Sequence, residues 1–447
     1  MPLPSLSLAR DANFRALWIG QLVSIFGDRF TYLALLAVVV AHARLPSNPA
    51  AELAILPLAS FLPAILFSPW IGAWVDRSDT RRVLILSDAA RGVAVLAMIP
   101  ATQLAGLPAL YALVFLLYVA NTFFLPARSA IVPLLVARER LTEANSWMTL
   151  AGVAATIAGS LAGGALIARF GWRWGFGLDA LTYFVSVVAL WRIRLARRAG
   201  DAAPGLASAP PPSGAPAARP ASAAARYRAL TREIREGFAI LLRTPRAWGA
   251  TIAVMLLWTL GGVLHVGVPI LAGAGEGSAG RVASGVGLLL AAAACGMVAG
   301  TLLLVGPARG VPSRARLVVA LIGTGLAVAG FAAAAEGWPA AGAALVAGFF
   351  VAVLLVTTET VLQEAIPEAA RGRVFALRDM AARIAVLAAA GITGAAVAGG
   401  AAPRSAVAVA GVLAIVAGLA GAVIRGGEGG NRGTRLEGAG DEPAPRG

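Results

Sequence analysis

Carboxylates inside long apolar segments are the side chains of this chain best suited to chemistry, namely Asp28, Asp88, Asp179 and Glu359. An ionisable side chain at the centre of a bilayer costs about 2.5–3.5 kcal/mol on insertion scales, so it usually faces a cavity or a charged partner. A carboxylate in a cavity that opens alternately to two compartments can take up a proton on one side and release it on the other. We therefore predict proton coupling at Asp28, with Asp179 and Glu359 as further candidates. The alternative for Asp28 is a salt bridge to an arginine of another segment.

Asp88 and Arg91 are three residues apart in one apolar segment. Residues at this spacing share a helix face, so the sequence predicts an ion pair within the helix. Because the pair lies near one end of its segment, we predict that its role is structural. Asp28 and Arg29 are adjacent and point about 100° apart around a helix, so they need not pair with each other.

The remaining reactive residue types exclude most catalytic chemistry. Lysine is absent, so the chain has neither the Gly-Lys-Ser/Thr of an ATP-binding P-loop nor a Schiff-base lysine. The single cysteine, Cys295, excludes an intrachain disulfide and a thiolate zinc cluster. His42 and His265 have no metal-binding spacing. The sequence therefore predicts no enzyme, no metal site, no cofactor and no use of ATP.

Twelve apolar segments must position these side chains, six on each side of a long Ala/Pro-rich gap: 16–41, 52–74, 83–103, 106–127, 144–168, 172–192, 247–272, 282–305, 315–335, 338–361, 380–400 and 405–424. A helix of about 20 residues crosses a hydrocarbon core of about 30 Å. Hydrophobic residues make up 59% of the 447 residues and charged residues 13%, whereas soluble proteins carry about 25% charged residues. The sequence therefore predicts an all-α membrane protein with twelve transmembrane helices in two six-helix bundles, and a lipid bilayer as its main partner.

The 37 arginines are distributed asymmetrically between the loops. If the N-terminus is inside, that side carries 29 arginines, and Arg29, Arg91 and Arg383 lie within the spans. The opposite side carries five: Arg44, Arg169, Arg173, Arg281 and Arg404. Cytoplasmic loops carry an excess of basic residues. We therefore predict a multi-pass protein of a bacterial cytoplasmic (inner) membrane with both termini in the cytoplasm. The net charge of +15 then reflects topology and not nucleic-acid binding.

The composition divides the chain into five parts. Residues 1–195 and 245–425 form the predicted six-helix bundles, and 196–225 are predicted to be a disordered Ala/Pro-rich cytoplasmic linker. Residues 226–244 carry apolar side chains at helical spacing between arginines, which predicts an amphipathic interfacial helix. The alternative is a cytoplasmic extension of the seventh segment. Residues 426–447 are predicted to be a disordered cytoplasmic tail.

The two halves repeat one pattern after their fourth segments. Ala130-Ile-Val-Pro133 is followed by Arg138-Glu-Arg140, and Glu364-Ala-Ile-Pro367 is followed by Arg371-Gly-Arg373. Matching turns at equivalent positions favour two parallel repeats, as in secondary transporters. Chance similarity between cytoplasmic loops is the alternative.

Several motifs resemble those of the major facilitator superfamily. Gly72-Ala-Trp-Val-Asp76-Arg77-Ser-Asp79-Thr-Arg81-Arg82 is similar to the signature loop between the second and third spans of that family. Asn121-Thr-Phe-Phe-Leu-Pro126-Ala-Arg128, Gln363-Glu-Ala-Ile-Pro367 and the opening Asn13-Phe-Arg-Ala-Leu-Trp18-Ile-Gly20-Gln21 resemble one exporter branch, which includes the enterobactin exporter and macrolide efflux proteins.

The resemblance implies a role for the signature loop as a conformational latch. Gly72 permits close helix approach, and Asp76 is expected at the entry of the third span, where the helix dipole favours a carboxylate. Arg77, Arg81 and Arg82 can pair with acidic groups of neighbouring loops in one conformation and release them in the other. The alternative is that these arginines only keep the loop inside.

The resemblance also implies that the first, fourth, seventh and tenth spans line the transport pathway. Cavity-facing candidates on these spans are Tyr32, Asn121, Phe124, Trp258, His265, Thr357 and Thr358. Several aromatic side chains with few fixed charges suit a bulky amphipathic solute.

The sequence as a whole predicts a secondary active transporter that exports a small amphipathic molecule, such as a drug, a siderophore or another natural product. Proton antiport with alternating access is the expected mechanism. The alternatives are an importer of the same fold and a membrane sensor or assembly protein that transports nothing.

Overall fold

The computed structural model describes residues 10–42, 49–75, 77–194, 235–273, 278–334 and 337–423, together with Leu8 and Arg232. The predicted linker 196–225, the predicted tail 426–447, Asp76 and most of 226–234 lie outside the described residues. Among the residues that are described, long helices dominate and no β-strand occurs.

Eleven of these helices are long and apolar enough to cross a membrane, judged on the described residues by length and composition. They are α1 (Ala12–His42), α2 (Pro49–Val75), one long run at Thr80–Leu135, α5 (Leu141–Phe170), α6 (Trp172–Trp191), α7 (Pro245–Leu271), α8 (Ala279–Val305), α9 (Ser313–Ala334), α10 (Gly337–Ala365), α11 (Glu368–Ala398) and α12 (Pro403–Val423).

The long run contains two membrane crossings. A straight helix of its 56 residues would extend about 84 Å at 1.5 Å per residue, far more than a hydrocarbon core of about 30 Å. The helical conformation is interrupted at Gly106, where φ is 69°, a backbone angle that glycine adopts without a steric penalty. We call the leg before this residue (80–105) α3 and the leg after it (107–135) α4. Among the described residues, the helices long and apolar enough to cross a membrane then number twelve, as predicted.

The helix α11 is longer than the apolar segment that predicts it. It begins at Glu368, twelve residues before the predicted span 380–400. The added turns carry Arg371, Arg373 and Arg378. A hydropathy pattern reveals only the part of a helix that lacks charged residues. The backbone hydrogen bonds of the helix nevertheless continue through the arginine-rich turns.

Helix contacts repeat with a shift of six helices. The pairs α1–α5 and α1–α6 correspond to the pairs α7–α11 and α7–α12. Likewise, α2 contacts the α3–α4 run as α8 contacts α10, and α6 contacts that run as α12 contacts α9. The halves meet mainly through α2–α11 and α5–α8, which are also related by this shift. The chain is therefore built from two similar halves, α1–α6 and α7–α12, related by a pseudo-twofold arrangement.

Contacts between the halves lie toward one end of the molecule. Short connections make consecutive helices antiparallel, so the α2–α3, α4–α5 and α10–α11 connections share one end, which we call the basic end, and the α1–α2 and α5–α6 connections share the far end. A Cβ atom on Gly164 of α5 would lie 2.8 Å from the Ala283 carbonyl oxygen of α8, and one on Gly394 of α11 would lie 2.6 Å from Ala54 Cβ of α2. Small residues thus let the halves meet closely near the far end.

A short helix over 235–243 packs against the second half at the basic end. Leu241 is buried in a cluster with Leu362, Ile366 and Val374. Glu236 forms ion pairs with Arg232, at 2.8 Å, and with Arg373 of α11. The hydrogen bond from Arg232 holds the pKa of Glu236 below its ordinary value. This segment is therefore attached to the half that follows it.

Candidate functional site

A polar cavity of about 180 Å³ lies within the first half, between α1, α3, α4 and α6. Of the proton-coupling and cavity-facing candidates predicted from sequence, Asp28, Tyr32 and Asn121 line it. The complete lining is Asp28, Arg29, Thr31, Tyr32, Leu35, Arg91, Leu117, Tyr118, Asn121 and Tyr183. The cavity therefore combines a carboxylate, two guanidinium groups and three phenol groups in a region of the chain that is otherwise apolar.

Gly27 lets α6 approach the backbone of α1 beside this cavity. A Cβ atom on Gly27 would lie 2.9 Å from Thr182 Cβ and would overlap the carboxylate of Asp179. Only glycine allows this approach, so its position on α1 determines where the polar side chains of α6 stand relative to Asp28.

A Gly27→Ala variant is expected to separate α1 from α6 and to lower the free energy of unfolding by about 1–3 kcal/mol, the usual cost of overpacking. The measurement is the unfolding midpoint of the purified protein in detergent. Gly177→Ala on α6 is the matched control, because a Cβ atom there would have no neighbour within 4 Å. Equal midpoints for the two variants would contradict the close approach.

Asp28 accepts one hydrogen bond in the cavity. Tyr183 OH donates to Asp28 Oδ1 over 2.5 Å, joining α6 to α1. Among the described residues Asp28 forms no ion pair, and its neighbour Arg29 forms none either. Arg29 Nε is buried without a hydrogen-bond partner. The salt bridge that was the alternative role for Asp28 is therefore not seen within the described part of the chain.

Asp88 and Arg91 form an ion pair that is almost completely buried, with side-chain exposures of 0% and 4%. Ser186 Oγ donates to Asp88 Oδ2 over 2.6 Å, and Arg91 Nη1 donates to Asn121 Oδ1 over 3.4 Å. The Arg91 guanidinium also lies 4.0 Å from the centre of the Phe124 ring. The pair thus connects α3, α4 and α6, and Phe124 serves as its apolar neighbour. Arg91 also lines the cavity. The ion pair therefore forms part of the cavity wall and also stabilises the packing of these three helices.

Asp179 lies behind the cavity on α6 and is fully buried. Its Oδ1 atom accepts a hydrogen bond from Thr182 Oγ1 at 3.0 Å. Its Oδ2 atom is buried and has no hydrogen-bond partner among the described residues. An ionised carboxylate in this position would be poorly compensated, so Asp179 remains a candidate for proton coupling.

An apolar cavity of about 250 Å³ lies in the second half, between α7, α8, α9 and α10. Its walls include Leu264, Val286, Leu289, Phe331 and Ala344. Tyr32 and His265 also line this cavity, and Tyr32 OH lies 3.4 Å from His265 Nδ1. The two predicted cavity residues therefore meet where the first half faces the second.

A third cavity, of about 310 Å³, lies between α2, α4 and α11 and shares Tyr118 and Asn121 with the polar cavity. Arg383 lines it from the second half, 5.8 Å from the centre of the Phe61 ring. Trp258 packs edge-on against the same ring with 6.2 Å between ring centres and is 37% exposed. Trp258 therefore contributes to the contact between the halves.

The predicted residues of α10 lie apart from the polar cavity. Thr357 and Thr358 are buried, and Thr358 Oγ1 donates to the Leu354 carbonyl oxygen over 2.9 Å. Glu359 forms an ion pair with Arg378 of α11, and its side chain is 44% exposed. As a proton-coupling candidate Glu359 thus differs from Asp28 and Asp179, because it already has a cationic partner.

The turn between α2 and α3 is held by a hydrogen-bonded arginine. Arg81 donates through Nε to the Leu190 carbonyl oxygen at 3.2 Å and through Nη2 to that of Trp191, at the C-terminal end of α6. Asp79 caps α3, because its Oδ1 atom accepts from Arg82 N at 3.0 Å. Arg77 is exposed, Gly72 lies in the last turns of α2, and Asp76 lies outside the described residues.

An Arg81→Ala variant is expected to lose about 1–2 kcal/mol of stability, because it removes a cation and two hydrogen bonds from a helix C-terminus. Thermal unfolding of the purified protein measures this loss. Arg77→Ala is the control at the same turn, since that side chain is exposed. If the two variants unfold at the same temperature, Arg81 does not hold the turn to α6.

Sequence reasoning missed several residues of the site. Tyr183 lies four residues after Asp179 and Tyr118 three residues before Asn121, so helical spacing from a predicted residue could have found both. The apolar walls of the second cavity carry no such signal, because leucine, valine and alanine also cover the lipid-facing surface.

Comparison with known proteins gives a consistent result. The sequence model of the Major Facilitator Superfamily matches residues 17–346. An uncharacterized MFS-type transporter, YfiS of Bacillus subtilis, is 28% identical over 171 residues, which are 38% of this chain and 40% of that protein. Macrolide efflux protein A of Streptococcus pyogenes is 30% identical over 134 residues, 29% of this chain and 32% of that protein. These alignments thus span less than half of either relative.

The fold is also found among solved structures. The crystal structure of a bacterial homologue of the iron transporter ferroportin, in an inward-facing state, superposes with a TM-score of 0.66. The superposition covers 92% of this chain and 98% of that one at 17% sequence identity. A likeness at this identity concerns the fold alone.

Proposed function

The chain belongs to the major facilitator superfamily, and from this membership we propose that it is a secondary transporter that exports a small amphipathic molecule in exchange for protons. We place it in the cytoplasmic membrane of a bacterium with its basic end in the cytoplasm, because basic residues are retained on that side.

The observation that carries the proton coupling is the position of Asp28. This carboxylate lines a cavity, accepts a hydrogen bond only from Tyr183, and has no ion pair within the described residues. The charged and titratable groups around the cavity are Arg29 and Tyr32 on its own helix, Asp88 and Arg91 on α3, Tyr118 on α4, and Asp179 and Tyr183 on α6. Because Arg91 is already paired with Asp88, Asp28 can exchange a proton without breaking an existing ion pair.

The way the halves meet supports alternating access. Their close contacts, between α5 and α8 and between α2 and α11, lie toward the far end. With the basic end in the cytoplasm, this arrangement closes the outer side. Rocking of the two halves would separate these contacts and expose Asp28 to the outside. Arg81, which ties the α2–α3 turn to the end of α6, would serve as part of the latch on the cytoplasmic side.

Export as the direction is supported by the similarity to macrolide efflux protein A. A proton that enters along a membrane potential releases about 2.3 kcal/mol per 100 mV, so export needs no nucleotide. Protonation of Asp28 from outside and loss of that proton inside, each linked to one reorientation, would exchange solute for protons.

The test uses purified protein in vesicles that enclose a pH-sensitive dye. A panel of labelled amphiphiles that includes erythromycin is added outside, with the vesicle interior acidic. We expect solute to enter as protons leave, so that the interior pH rises and counterflow of label occurs. Solute and protons moving in the same direction would indicate an importer, and no counterflow of any compound would indicate a protein that transports nothing.

A further inference from the structure

The polar and apolar cavities meet at one side chain. Tyr32 lines both of them, and its hydroxyl lies 3.4 Å from His265 Nδ1. The polar cavity belongs to the first half and the apolar cavity to the second. A single molecule that fills both must therefore carry a polar part and an apolar part, joined close to Tyr32.

The polar cavity contains one carboxylate and one guanidinium that lack ionic partners. Asp28 and Arg29 form no ion pair with any residue that the structure describes, and Arg29 Nε is buried without a hydrogen bond. The second guanidinium, that of Arg91, is already paired with Asp88. Both residues are half-buried, and a charge that is partly removed from water without a partner is costly. A purely cationic head group would leave Arg29 unpaired, and a purely anionic one would leave Asp28 unpaired.

The apolar cavity has few hydrogen-bonding groups. Its walls are formed by side chains such as Leu264, Leu289 and Phe331. His265 is the exception, since its Nε2 atom is buried without a hydrogen-bond partner. This cavity therefore suits an aliphatic or aromatic group with at most one hydrogen-bonding atom.

We propose that the molecule transported by this protein is a zwitterionic amphiphile. Its ammonium group binds Asp28, its carboxylate binds Arg29, and its apolar body occupies the cavity between α7, α8, α9 and α10. This assignment rests on the proposed function and adds the substrate class to it. Arrival of the ammonium group displaces the proton from Asp28, so one carboxylate serves the solute and the proton in turn.

The test compares three fluorescent probes that share one apolar group. Nε-dansyl-lysine has an ammonium and a carboxylate, dansylcadaverine has the ammonium alone, and N-dansyl-6-aminohexanoate has the carboxylate alone. Dansyl emission rises in apolar surroundings, so binding to purified protein can be titrated without transport. We expect the zwitterion to bind about tenfold to a hundredfold more tightly than either of the others, the effect of one charged hydrogen-bonded contact.

Single substitutions test each proposed contact separately. Arg29→Gln should remove the preference for dansyl-lysine over dansylcadaverine, and Asp28→Asn should remove its preference over the aminohexanoate. Ala344→Phe fills the apolar cavity and should therefore weaken the binding of all three probes by the same factor. Val356→Phe on the same helix is its control, because that side chain is 39% exposed and lines none of the cavities described above. Each preference is a ratio of two dissociation constants measured on the same preparation. A misfolded fraction in the sample therefore does not change it.

The outcomes separate this proposal from the proposed function. Equal binding of the three probes, tighter binding of dansylcadaverine, or no binding of any probe would overturn the zwitterionic substrate. Proton-linked transport of the amphiphile panel could still be present in that case. Conversely, selective binding of dansyl-lysine without proton-linked movement of any solute would overturn the proposed function and leave the binding site in place.

Discussion

An Asp28→Asn variant is expected to export no better with a pH gradient than without one. For a one-for-one exchange, each pH unit corresponds to about 1.4 kcal/mol and so to a tenfold solute ratio. Asparagine preserves the shape of the side chain and can still accept the hydrogen bond from Tyr183, but it takes up no proton. The tenfold accumulation per pH unit should therefore fall to about onefold, whereas counterflow at saturating solute continues. Both quantities are measured in the same vesicles.

Other carboxylates provide the comparison for this variant. Asp179→Asn tests the buried carboxylate behind the cavity, and Glu359→Gln tests the one that is paired with Arg378. Glu368→Gln at the exposed start of α11 is the matched control and should leave accumulation unchanged. Tenfold accumulation per pH unit in Asp28→Asn would refute its role. If Glu359→Gln alone abolished accumulation, coupling would have to be assigned to the second half.

The fold could be predicted because a lipid environment restricts the structures that the backbone can adopt. Lipid requires that every backbone polar group be satisfied within a helix or closed barrel, so each apolar segment of about twenty residues predicts one crossing. The break at Gly106 coincides with the first residue of the predicted span 106–127, although the backbone there is nearly continuous helix. Helix ends were less predictable, as α11 shows, because charged turns outside the hydrocarbon region carry no apolar signal.

Contacts within one helix could also be anticipated from spacing, whereas contacts between helices could not. The Asp88–Arg91 pair follows from a separation of three residues. The hydrogen bond from Tyr183 to Asp28 joins residues 155 positions apart, and it depends on how closely α6 approaches α1. Gly27 permits that approach, but a glycine in an apolar segment has the same sequence signature whether it faces a helix or lipid.

The apolar cavity could not be predicted for a related reason. A cavity is volume that no side chain fills, and it results from the relative positions of four helices rather than from any one residue type. Its walls have the same composition as the outer surface of the helices, where Leu302 and Leu413 are exposed. Tyr32 and His265 could be found because they are polar or aromatic residues on helices implied to line the pathway.

An Arg91→Met variant is expected to cause the largest loss of stability, about 3–5 kcal/mol in the free energy of unfolding. Methionine preserves the apolar stem but leaves the Asp88 carboxylate buried without its cation, and breaking a buried pair on one side costs about this much. The loss includes the contact of the guanidinium with Phe124, 4.0 Å away, which is worth roughly 0.5–2 kcal/mol. Unfolding by denaturing detergent, followed by tryptophan fluorescence, measures the change.

A second substitution distinguishes an unpaired charge from lost packing. In Asp88→Asn with Arg91→Met no buried ion remains, so most of the stability should return, and the double-mutant cycle then gives the coupling between the two side chains. Arg82→Met is the surface control, because Arg82 and Asp79 form an Asp–Arg pair at the same spacing with exposures of 82% and 51%. Such an exposed pair contributes about 0–1 kcal/mol. If the double variant were as unstable as Arg91→Met, packing of the arginine around Phe124 and Tyr183, and not neutralisation of Asp88, would be what stabilises this part of the first half.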